Sequence, residues 1–271
     1  MIITVANGKG GSAKTTTAAN LATLLGQRGD PTLAIDFDPR FSLTRHLGIR
    51  ASELPRTVTD VIANGRGVGE VAIHDVLPFL SLVPARRELD AVETALVAEV
   101  GRERTLRNAL RGQIGEYRDV VIDTPANLGL LSVNALVAAD VVVVPINVQD
   151  EGAAQGFVEL RATLTRLARA LEWAATPPLV VVFCRHDPRR RVSRDIREAI
   201  ARYDAIISPW PIPERALAHQ AAVAGVPVAH QRPGNVIAQA YGALVTTLDA
   251  CRPAGDAVVI GRSNKHTEVT A

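Results

Sequence analysis

Short apolar runs alternate with stretches of helical periodicity along almost the whole chain. The apolar runs, which we interpret as strands, lie at 2–6, 32–36, 79–83, 119–122, 140–145, 179–184 and 205–208. The helical patterns lie at 14–28, 86–114, 130–138, 151–172, 193–203, 215–224 and 235–250. Alternating strands and helices with continuous Val and Ile runs are typical of a parallel sheet covered by helices. The pattern predicts an α/β fold, a mostly parallel twisted sheet with helices on both faces and ligands at the carboxyl ends of its strands.

Composition fits a single domain of this kind. The chain has 271 residues, of which 47% are hydrophobic and only 4% aromatic, so the core must consist of Val, Leu, Ile and Ala. We place the domain at 1–250. Residues 251–271 carry Pro, Gly, Ser, Asn and Thr with little periodicity, which predicts a mobile tail.

Charge and cysteine content narrow the class of protein. The net charge is only +2, so any surface for nucleic acid must be a local patch. Cys184 and Cys251 are interpreted as reduced thiols, and the six histidines show no metal-ligand spacing. The chain starts with a strand pattern instead of a signal peptide, and no apolar run reaches about 18 residues. We therefore expect a cytoplasmic protein.

The strongest candidate site follows the first strand. The residues there are Gly8, Lys9, Gly10, Gly11, Ser12, Ala13, Lys14, Thr15 and Thr16, and a helical pattern begins at once. A strand, a glycine-rich turn and a helix form the context of a P-loop, in which backbone N–H groups cradle phosphates. Lys14 would reach the β- and γ-phosphates, and the Thr15 hydroxyl would bind Mg²⁺. Ala13 replaces the last glycine of the motif, and its methyl group restricts the backbone. The alternative is a glycine-rich turn without a ligand.

Acidic residues follow two more strands. Asp36 and Asp38 end the second strand, where Pro39 holds Asp38 extended. Asp123 ends the strand at 119–122 in the form of a Walker B motif, whose carboxylate holds Mg²⁺ directly or through water. Because these strand ends share one edge of the sheet, we expect Thr15, Asp38 and Asp123 to converge on a metal site. The alternative is that the acids only cap strands and helices.

An arginine-rich segment is the sharpest charge feature. Residues 185–202 contain seven arginines and three acids. If a helix begins near Ser193 as N-cap, Arg190, Arg194 and Arg197 share one side. One interpretation is a sequence-independent contact surface for DNA phosphates, formed by Arg189, Arg190, Arg191, Arg194 and Arg197. The other is pairing along the helix, from Arg191 to Asp195 and from Arg194 to Glu198.

Several of these motifs together resemble a known family. Residues 9–16 resemble the deviant Walker A box K-G-G-x-x-K-T-T of the ParA/MinD partition ATPases, and 36–39 resemble their D-x-D-P box. Residues 123–136 are similar to D-x-P-P-x-L-G-x-L-x-x-N-A-L, 187–193 to D-x-R-T-x-L-S, and 225–228 match G-x-P-V. The boxes occur in order over about residues 1–250, and they are most similar to those of ParA and Soj.

The resemblance implies a P-loop NTPase fold and an ATPase that uses ATP, ADP and Mg²⁺. Lys9 would reach the phosphates of a partner subunit in an ATP-bound homodimer, and Lys14 would bind phosphate in its own subunit. Thr15 and Asp123 would hold Mg²⁺, Asp38 would orient the attacking water, and Pro213 would lie at the nucleotide. The family implies slow hydrolysis, non-specific DNA binding by the ATP dimer, stimulation by a ParB-type centromere-binding partner and a position on the nucleoid.

Four positions depart from the family pattern. Ala13 replaces a glycine, Arg40 replaces the glutamine after D-x-D-P, and Ala126 replaces a proline. Leu217 stands where the family has an arginine for DNA, for which Arg215 is a candidate substitute. Two other functions remain open. One is a MinD-like positioning ATPase on a membrane, although no C-terminal amphipathic helix supports a membrane partner. The other is a nucleotide-binding scaffold with negligible hydrolysis.

Overall fold

The computed structural model describes residues 1–150, 152–187 and 191–252, and within them nine strands form one sheet. The strands are β1 (Ile2–Val5), β2 (Thr32–Asp36), β3 (Ile73–Leu77), β4 (Leu80–Val83), β5 (Asp119–Asp123), β6 (Val141–Asn147), β7 (Leu179–His186), β8 (Ile206–Ile207) and β9 (Ile212–Pro213). Their order is β3-β4-β2-β5-β1-β6-β7-β8, with β9 also paired to β7. Only the β3–β4 pair is antiparallel, so the predicted mostly parallel sheet is confirmed.

Helices connect the strands. They are α1 (Lys14–Gln27), α2 (Ser42–His46), α3 (Val58–Ala63), α4 (Val68–Val71), α5 (Leu89–Leu96), α6 (Thr105–Leu110), α7 (Leu130–Ala138), α8 (Ala153–Ala170), α9 (Arg191–Ile200), α10 (Ala216–Ala224), α11 (Val228–Gln231) and α12 (Val236–Asp249). Short 3₁₀ turns lie at Ala51–Glu53 and Arg102–Arg104. Within the described ranges, no helix combines the length and apolar character needed to cross a bilayer.

The core lies on both faces of the sheet. On one face, α1 and α12 pack over β1, β6 and β7, with Leu21 and Tyr241 fully buried. On the other, α3, α5, α6 and α7 cover β2 and β5, and α8 and α9 cover β6 and β7. The buried side chains are mainly aliphatic, as the composition indicates. This packing fixes the strand ends at which the candidate site lies.

Several parts of the fold differ from the sequence-based expectation, among them β9 and the short helices α2, α3, α4 and α11, which lie outside the predicted ranges. The helical pattern at 86–114 is divided into α5, the 3₁₀ turn and α6, because Gly101 adopts a left-handed φ of 70° between them. Strand β3 was not expected at all. The α9 helix begins two residues before Ser193, so the prediction that Ser193 is its N-cap is wrong.

The end of the described chain is anchored at the amino ends of the central strands. Arg252 Nη2 lies 2.7 Å from Asp119 Oδ2 at the start of β5, and its Nε lies 3.2 Å from Asp249 Oδ1. The predicted tail at 251–271 lies outside the described residues from 253 onward.

Candidate functional site

The loop between β1 and α1 has the backbone of a phosphate cradle, with two left-handed residues. Gly11 has φ 72°, and Ala13 has φ 74° and ψ 27°. Side chains with a Cβ atom rarely adopt this region, which costs about 1–2 kcal/mol. The left-handed geometry explains why the motif has a glycine at this position. Ala13 therefore keeps the loop shape at a cost in conformational energy.

Lys14 is folded into the loop. Its side chain is 7% exposed, and Nζ donates a hydrogen bond to the Lys9 carbonyl oxygen over 3.2 Å. Burial lowers the pKa of Lys14, and the nearby carboxylates of Asp123 and Asp38 oppose that shift. The ammonium thus lies inside the cradle and close to both predicted acids.

Asp123 is a fully buried carboxylate at the carboxyl end of β5. It ends β5, where it pairs in register with Val5 of β1 and Asp36 of β2. Neither of its oxygens has a hydrogen-bond partner of normal geometry among the described residues. Burial, followed by the charge of Asp36, raises the pKa of Asp123 well above its usual range, while Thr15 and Lys14 lower it. Buried polar groups are normally satisfied, so this orphan carboxylate fits a hydrated cation beside Thr15.

Asp36 has a different role from Asp123. Its Oδ2 accepts hydrogen bonds of 2.7 Å from both the backbone N–H and the hydroxyl of Thr44. The Thr44 hydroxyl in turn accepts from the Ala85 N–H over 3.1 Å. Burial raises the pKa of Asp36 to about 6. Asp36 therefore ties α2 to the sheet, whereas a role of Asp38 and Asp123 at a metal site stays a prediction.

Asp38 lies at the edge of a cavity of about 550 Å³ that opens over the loop. Its Oδ1 accepts from the Arg40 N–H over 2.9 Å, and the side chain is 8% exposed. Residues Gly10 to Thr16 line one side of the cavity, and Arg185, Pro213 and Arg215 line the other. The volume is that of a ligand pocket for a molecule the size of a nucleotide. The structure thus places Pro213 at this site, and it places Arg215 at the same rim.

Lys9 points away from the cavity. Its Nζ lies 2.5 Å from Asp150 Oδ1, and its backbone N–H donates to Asn7 Oδ1 over 3.0 Å. The ion pair lowers the pKa of Asp150. The start of α8 packs closely against this part of the loop, because Gly152 and Gly156 have no side chains there.

The structure describes only some of the residues predicted to contact DNA. Arg189 and Arg190 lie outside the described residues, and Arg191 begins α9. Arg194 is exposed, whereas the Arg197 guanidinium lies 5.3 Å from the centre of the Phe183 ring. Ser193 Oγ donates to the Val148 carbonyl oxygen over 3.3 Å inside the fold. Contact of these arginines with DNA stays a prediction.

Two buried residues that the sequence did not single out fix neighbouring elements of the fold. Thr44 holds Asp36, as described above. Asn134 on α7 accepts from the Leu106 N–H over 3.0 Å and donates to the Arg102 carbonyl oxygen over 2.8 Å. The sequence signal for Asn134 was its place in the N-A-L box at 134–136. The box alone does not show that Asn134 holds α6 against α7.

The comparisons with known proteins agree with this geometry. Residues 1–174 match a family profile described as an AAA domain. The chromosome partitioning protein ParA of Caulobacter vibrioides is 36% identical over 217 residues, which cover 76% of this chain and 79% of that protein.

Solved structures show the same fold. A Mycobacterium smegmatis structure described as cobyrinic acid a,c-diamide synthase with a bound ATP analogue and magnesium has a TM-score of 0.78 at 30% identity. It covers 91% of this chain and 93% of its own. The apo McdA structure from Cyanothece has a TM-score of 0.81 at 21% identity, covering 91% and 98%. That second likeness concerns the fold alone.

The sheet order, the loop and the acids at the strand ends define the class of P-loop nucleotide-binding α/β proteins. Within that class, the chain belongs to the ParA family of P-loop ATPases.

Proposed function

We propose that this protein is an ATP-dependent DNA partition ATPase, whose ATP-bound homodimer binds DNA without sequence preference. The observation that carries the proposal is the buried Asp123 carboxylate beside Thr15 and Lys14 in the phosphate cradle, whose oxygens have no hydrogen-bond partner of normal geometry among the described residues. Such an arrangement supports binding of a magnesium nucleotide, because a cation and phosphates would satisfy both the carboxylate and the ammonium. The relatives named as chromosome partitioning proteins support the cellular role.

In this proposal the residues act mainly by positioning. Backbone N–H groups from Gly8 to Thr16 and the Lys14 ammonium bind the phosphates of ATP. Thr15 and Asp123 would hold Mg²⁺, and Asp38 lies at the same cavity as Thr15. The chemistry supplied by a bound magnesium ion would be neutralisation of charge on the phosphates. Asp38, fixed by the Arg40 N–H, orients the attacking water and accepts its hydrogen bond.

Two further features complete the proposed mechanism, namely contact with a partner subunit and contact with DNA. Lys9 reaches the phosphates of the partner subunit after its ion pair with Asp150 breaks, and it stabilises charge in the manner of an arginine finger. The arginines of the 185–202 segment and Arg215 contact DNA phosphates, and a ParB-type partner stimulates hydrolysis. A cytoplasmic position on the nucleoid follows from binding to DNA.

A MinD-like positioning role and a scaffold without hydrolysis are the competing functions. The solved McdA and MinD structures share the fold but are at most 22% identical, so they do not favour one role. The strained Ala13 in the phosphate loop is the one observation that favours slow or absent turnover.

Phosphate release and DNA co-sedimentation, each with ATP, ADP and no nucleotide, test the proposal. We expect Lys14→Ala to lose nucleotide binding, and Asp38→Ala to keep ATP-dependent dimers but stop hydrolysis. The exposed Asp90→Ala on α5 is the matched control and should behave as wild type. Normal hydrolysis by Asp38→Ala would refute the role of Asp38.

The DNA arm uses Arg194→Ala and Arg215→Ala beside the exposed control Arg87→Ala. Each of the first two should weaken binding on all sequences alike and reduce its salt dependence. Binding to liposomes but not to DNA would instead favour the MinD-like role, and DNA binding without any phosphate release would favour the scaffold.

A further inference from the structure

A second cavity lies at the opposite end of the sheet from the phosphate loop. It encloses about 880 Å³, and its walls come from α6, from the end of α7 and from residues 171–177 that follow α8. Ile2 at the start of β1 and Asp140 just before β6 lie at its floor, which places it at the amino ends of the central strands. We call it the lower groove. Nothing in the proposed ATPase mechanism uses it.

One wall of the lower groove carries three arginines. Arg104, Arg107 and Arg111 line it, together with Asn108. All three arginines are exposed, and no carboxylate pairs with any of them in the described part of the chain. Neighbouring arginines behave differently, since Arg102 pairs with Glu103 and Arg118 with Asp30. The wall therefore presents uncompensated positive charge.

The arginine wall is held by buried hydrogen bonds. Asn134 on α7 accepts from the Leu106 N–H and donates to the Arg102 carbonyl oxygen, which fixes both the 3₁₀ turn and α6. Leu106 and Leu110 are buried beneath the arginines. The guanidinium groups thus project from a rigid base, which reduces the ordering needed when they bind a ligand.

The facing wall is partly aromatic. Trp173 lines the groove and also packs against the core beneath α8 and α9. Among the described residues, Asp140 is the one acid that lines the groove, and its Oδ2 accepts from the Ile2 N–H over 2.7 Å. The groove therefore combines a cationic wall, a partly apolar floor and an indole ring.

We propose that the lower groove binds a nucleotide unit, with two or more phosphates on Arg104, Arg107 and Arg111 and the base against Trp173. Guanidinium groups bind phosphate oxygens through paired N–H donors, and indole rings stack on bases of any sequence. The groove volume matches a ligand of nucleotide size. The unit could belong to a free nucleotide or to a nucleic-acid strand, and the test separates the two.

The arrangement favours a nucleotide over an acidic peptide. Arg104 ends the 3₁₀ turn before α6 and Arg111 directly follows α6, so the arginines are distributed along one short segment of the wall. Carboxylates on one face of an extended peptide repeat about every 7 Å and bring no ring for Trp173. Phosphates joined to a base satisfy both walls at once.

Tryptophan fluorescence gives a local readout. The chain has two tryptophans, and Trp210 is half exposed, so Trp210→Phe leaves Trp173 as the sole emitter. Because the phosphate loop is at the other end of the sheet, nucleotide bound there should not quench Trp173 directly. The probes are GDP, a single-stranded tetranucleotide, pyrophosphate and a short poly-glutamate peptide, with equilibrium dialysis as a second measurement of each.

We expect GDP or the tetranucleotide to quench Trp173, and pyrophosphate to bind about tenfold more weakly because it lacks the base. Arg107→Gln with Arg111→Gln should weaken binding by about tenfold or more, whereas the control Arg87→Gln should not change it. Preference for GDP or for the tetranucleotide identifies the source of the unit. The proposal is overturned if neither nucleotide binds at about 1 mM, if pyrophosphate binds as well as GDP, or if only poly-glutamate binds.

Discussion

Lys9 and Asp150 form an ion pair at the mouth of the phosphate loop, with 2.5 Å between Lys9 Nζ and Asp150 Oδ1. Both side chains are about one-third exposed, at 36% and 33%. Asp150 Oδ1 also accepts from the Gly152 N–H over 3.0 Å, so the carboxylate is fixed at the start of α8. The lysine that family resemblance assigns to a partner subunit is thus held by its own chain. Dimerisation of the proposed kind must break this pair.

Asp150→Asn is therefore expected to lower the ATP concentration at which dimers form. The amide keeps an acceptor for Gly152 but removes the charge that retains Lys9. Because the pair is partly exposed, we expect the stability of the monomer to change by less than about 1 kcal/mol. Sedimentation velocity in the Asp38→Ala background measures dimers without hydrolysis. The exposed Asp90→Asn on α5 is the control, and weaker dimerisation by Asp150→Asn would contradict the retaining role.

The left-handed Ala13 gives a second prediction. Ala13→Gly should remove a backbone cost of about 1–2 kcal/mol, offset by about 0.4–1 kcal/mol from greater freedom of the unfolded chain. We expect a net gain of up to about 1 kcal/mol in the free energy of unfolding, measured by urea denaturation without nucleotide. Ala13→Val should have the opposite effect, because a β-branched side chain tolerates this region least. Equal stability of the two variants would show that the φ of 74° is not retained in solution.

A third prediction concerns His46 and pH. His46 is 6% exposed, its Nε2 has no hydrogen-bond partner among the described residues, and burial lowers its pKa to about 4. The unfolded state, with a pKa near 6.5, takes up a proton first as pH falls, so the contribution of His46 is complete above about pH 6.5. As pH falls from about 6.5 to about 4, the contribution of His46 to the free energy of unfolding decreases progressively, by up to about 3 kcal/mol.

His46→Leu removes this titration, so the stability difference between variant and wild type should widen in favour of the variant as pH falls from 7 to 4.5. Urea denaturation at a series of pH values measures the difference. The exposed His219→Leu is the matched control for the loss of an imidazole. A constant difference between wild type and His46→Leu would mean that His46 titrates normally in the fold.

The sequence patterns predicted the parts of the fold with strong local signals. The central strands, α1 and α8 follow from continuous apolar runs and helical spacing, and the phosphate loop follows from its glycines and lysines. The β3 strand could not be predicted, because its pattern is half exposed and it is itself an edge strand that pairs with β4. The division of 86–114 depends on the left-handed Gly101, which in a sequence looks like any glycine in a helix.

The candidate site, like the fold, could be predicted from the sequence only where a local motif indicates it. The positions of Lys14, Asp38 and Asp123 follow from motifs at strand ends, but the partners of individual side chains depend on contacts between distant segments. Asp150 is 141 residues from Lys9, and Thr44 holds Asp36 through a helix that no motif indicates. The prediction for Ser193 was wrong because α9 begins at Arg191. The Ser193 hydroxyl donates instead to the carbonyl oxygen of Val148, in the segment that follows β6.

The last prediction concerns Gly156, which lies where α8 passes the entrance of the phosphate loop. A Cβ atom there would lie 2.5 Å from Asn7 Oδ1 and 3.1 Å from Lys9 Cβ. Asn7 is 1% exposed, accepts from the Lys9 N–H and donates to the Pro145 carbonyl oxygen over 2.8 Å, so it has little room to move. Gly156→Ala should therefore displace the start of the loop, weaken ATP binding by about tenfold and destabilise the fold by about 1–3 kcal/mol.

Gly242→Ala on α12 is the matched control, because a Cβ atom there meets no atom within 4 Å. Because Gly242 lies in a helix interior, Gly242→Ala should raise the free energy of unfolding by about 1 kcal/mol and leave ATP affinity unchanged. Calorimetric titration with ATP and magnesium measures the affinities, and urea denaturation measures the stabilities. If Gly156→Ala binds ATP as tightly as Gly242→Ala, the loop entrance adapts without loss, and close packing by α8 is not what sets the shape of the phosphate cradle.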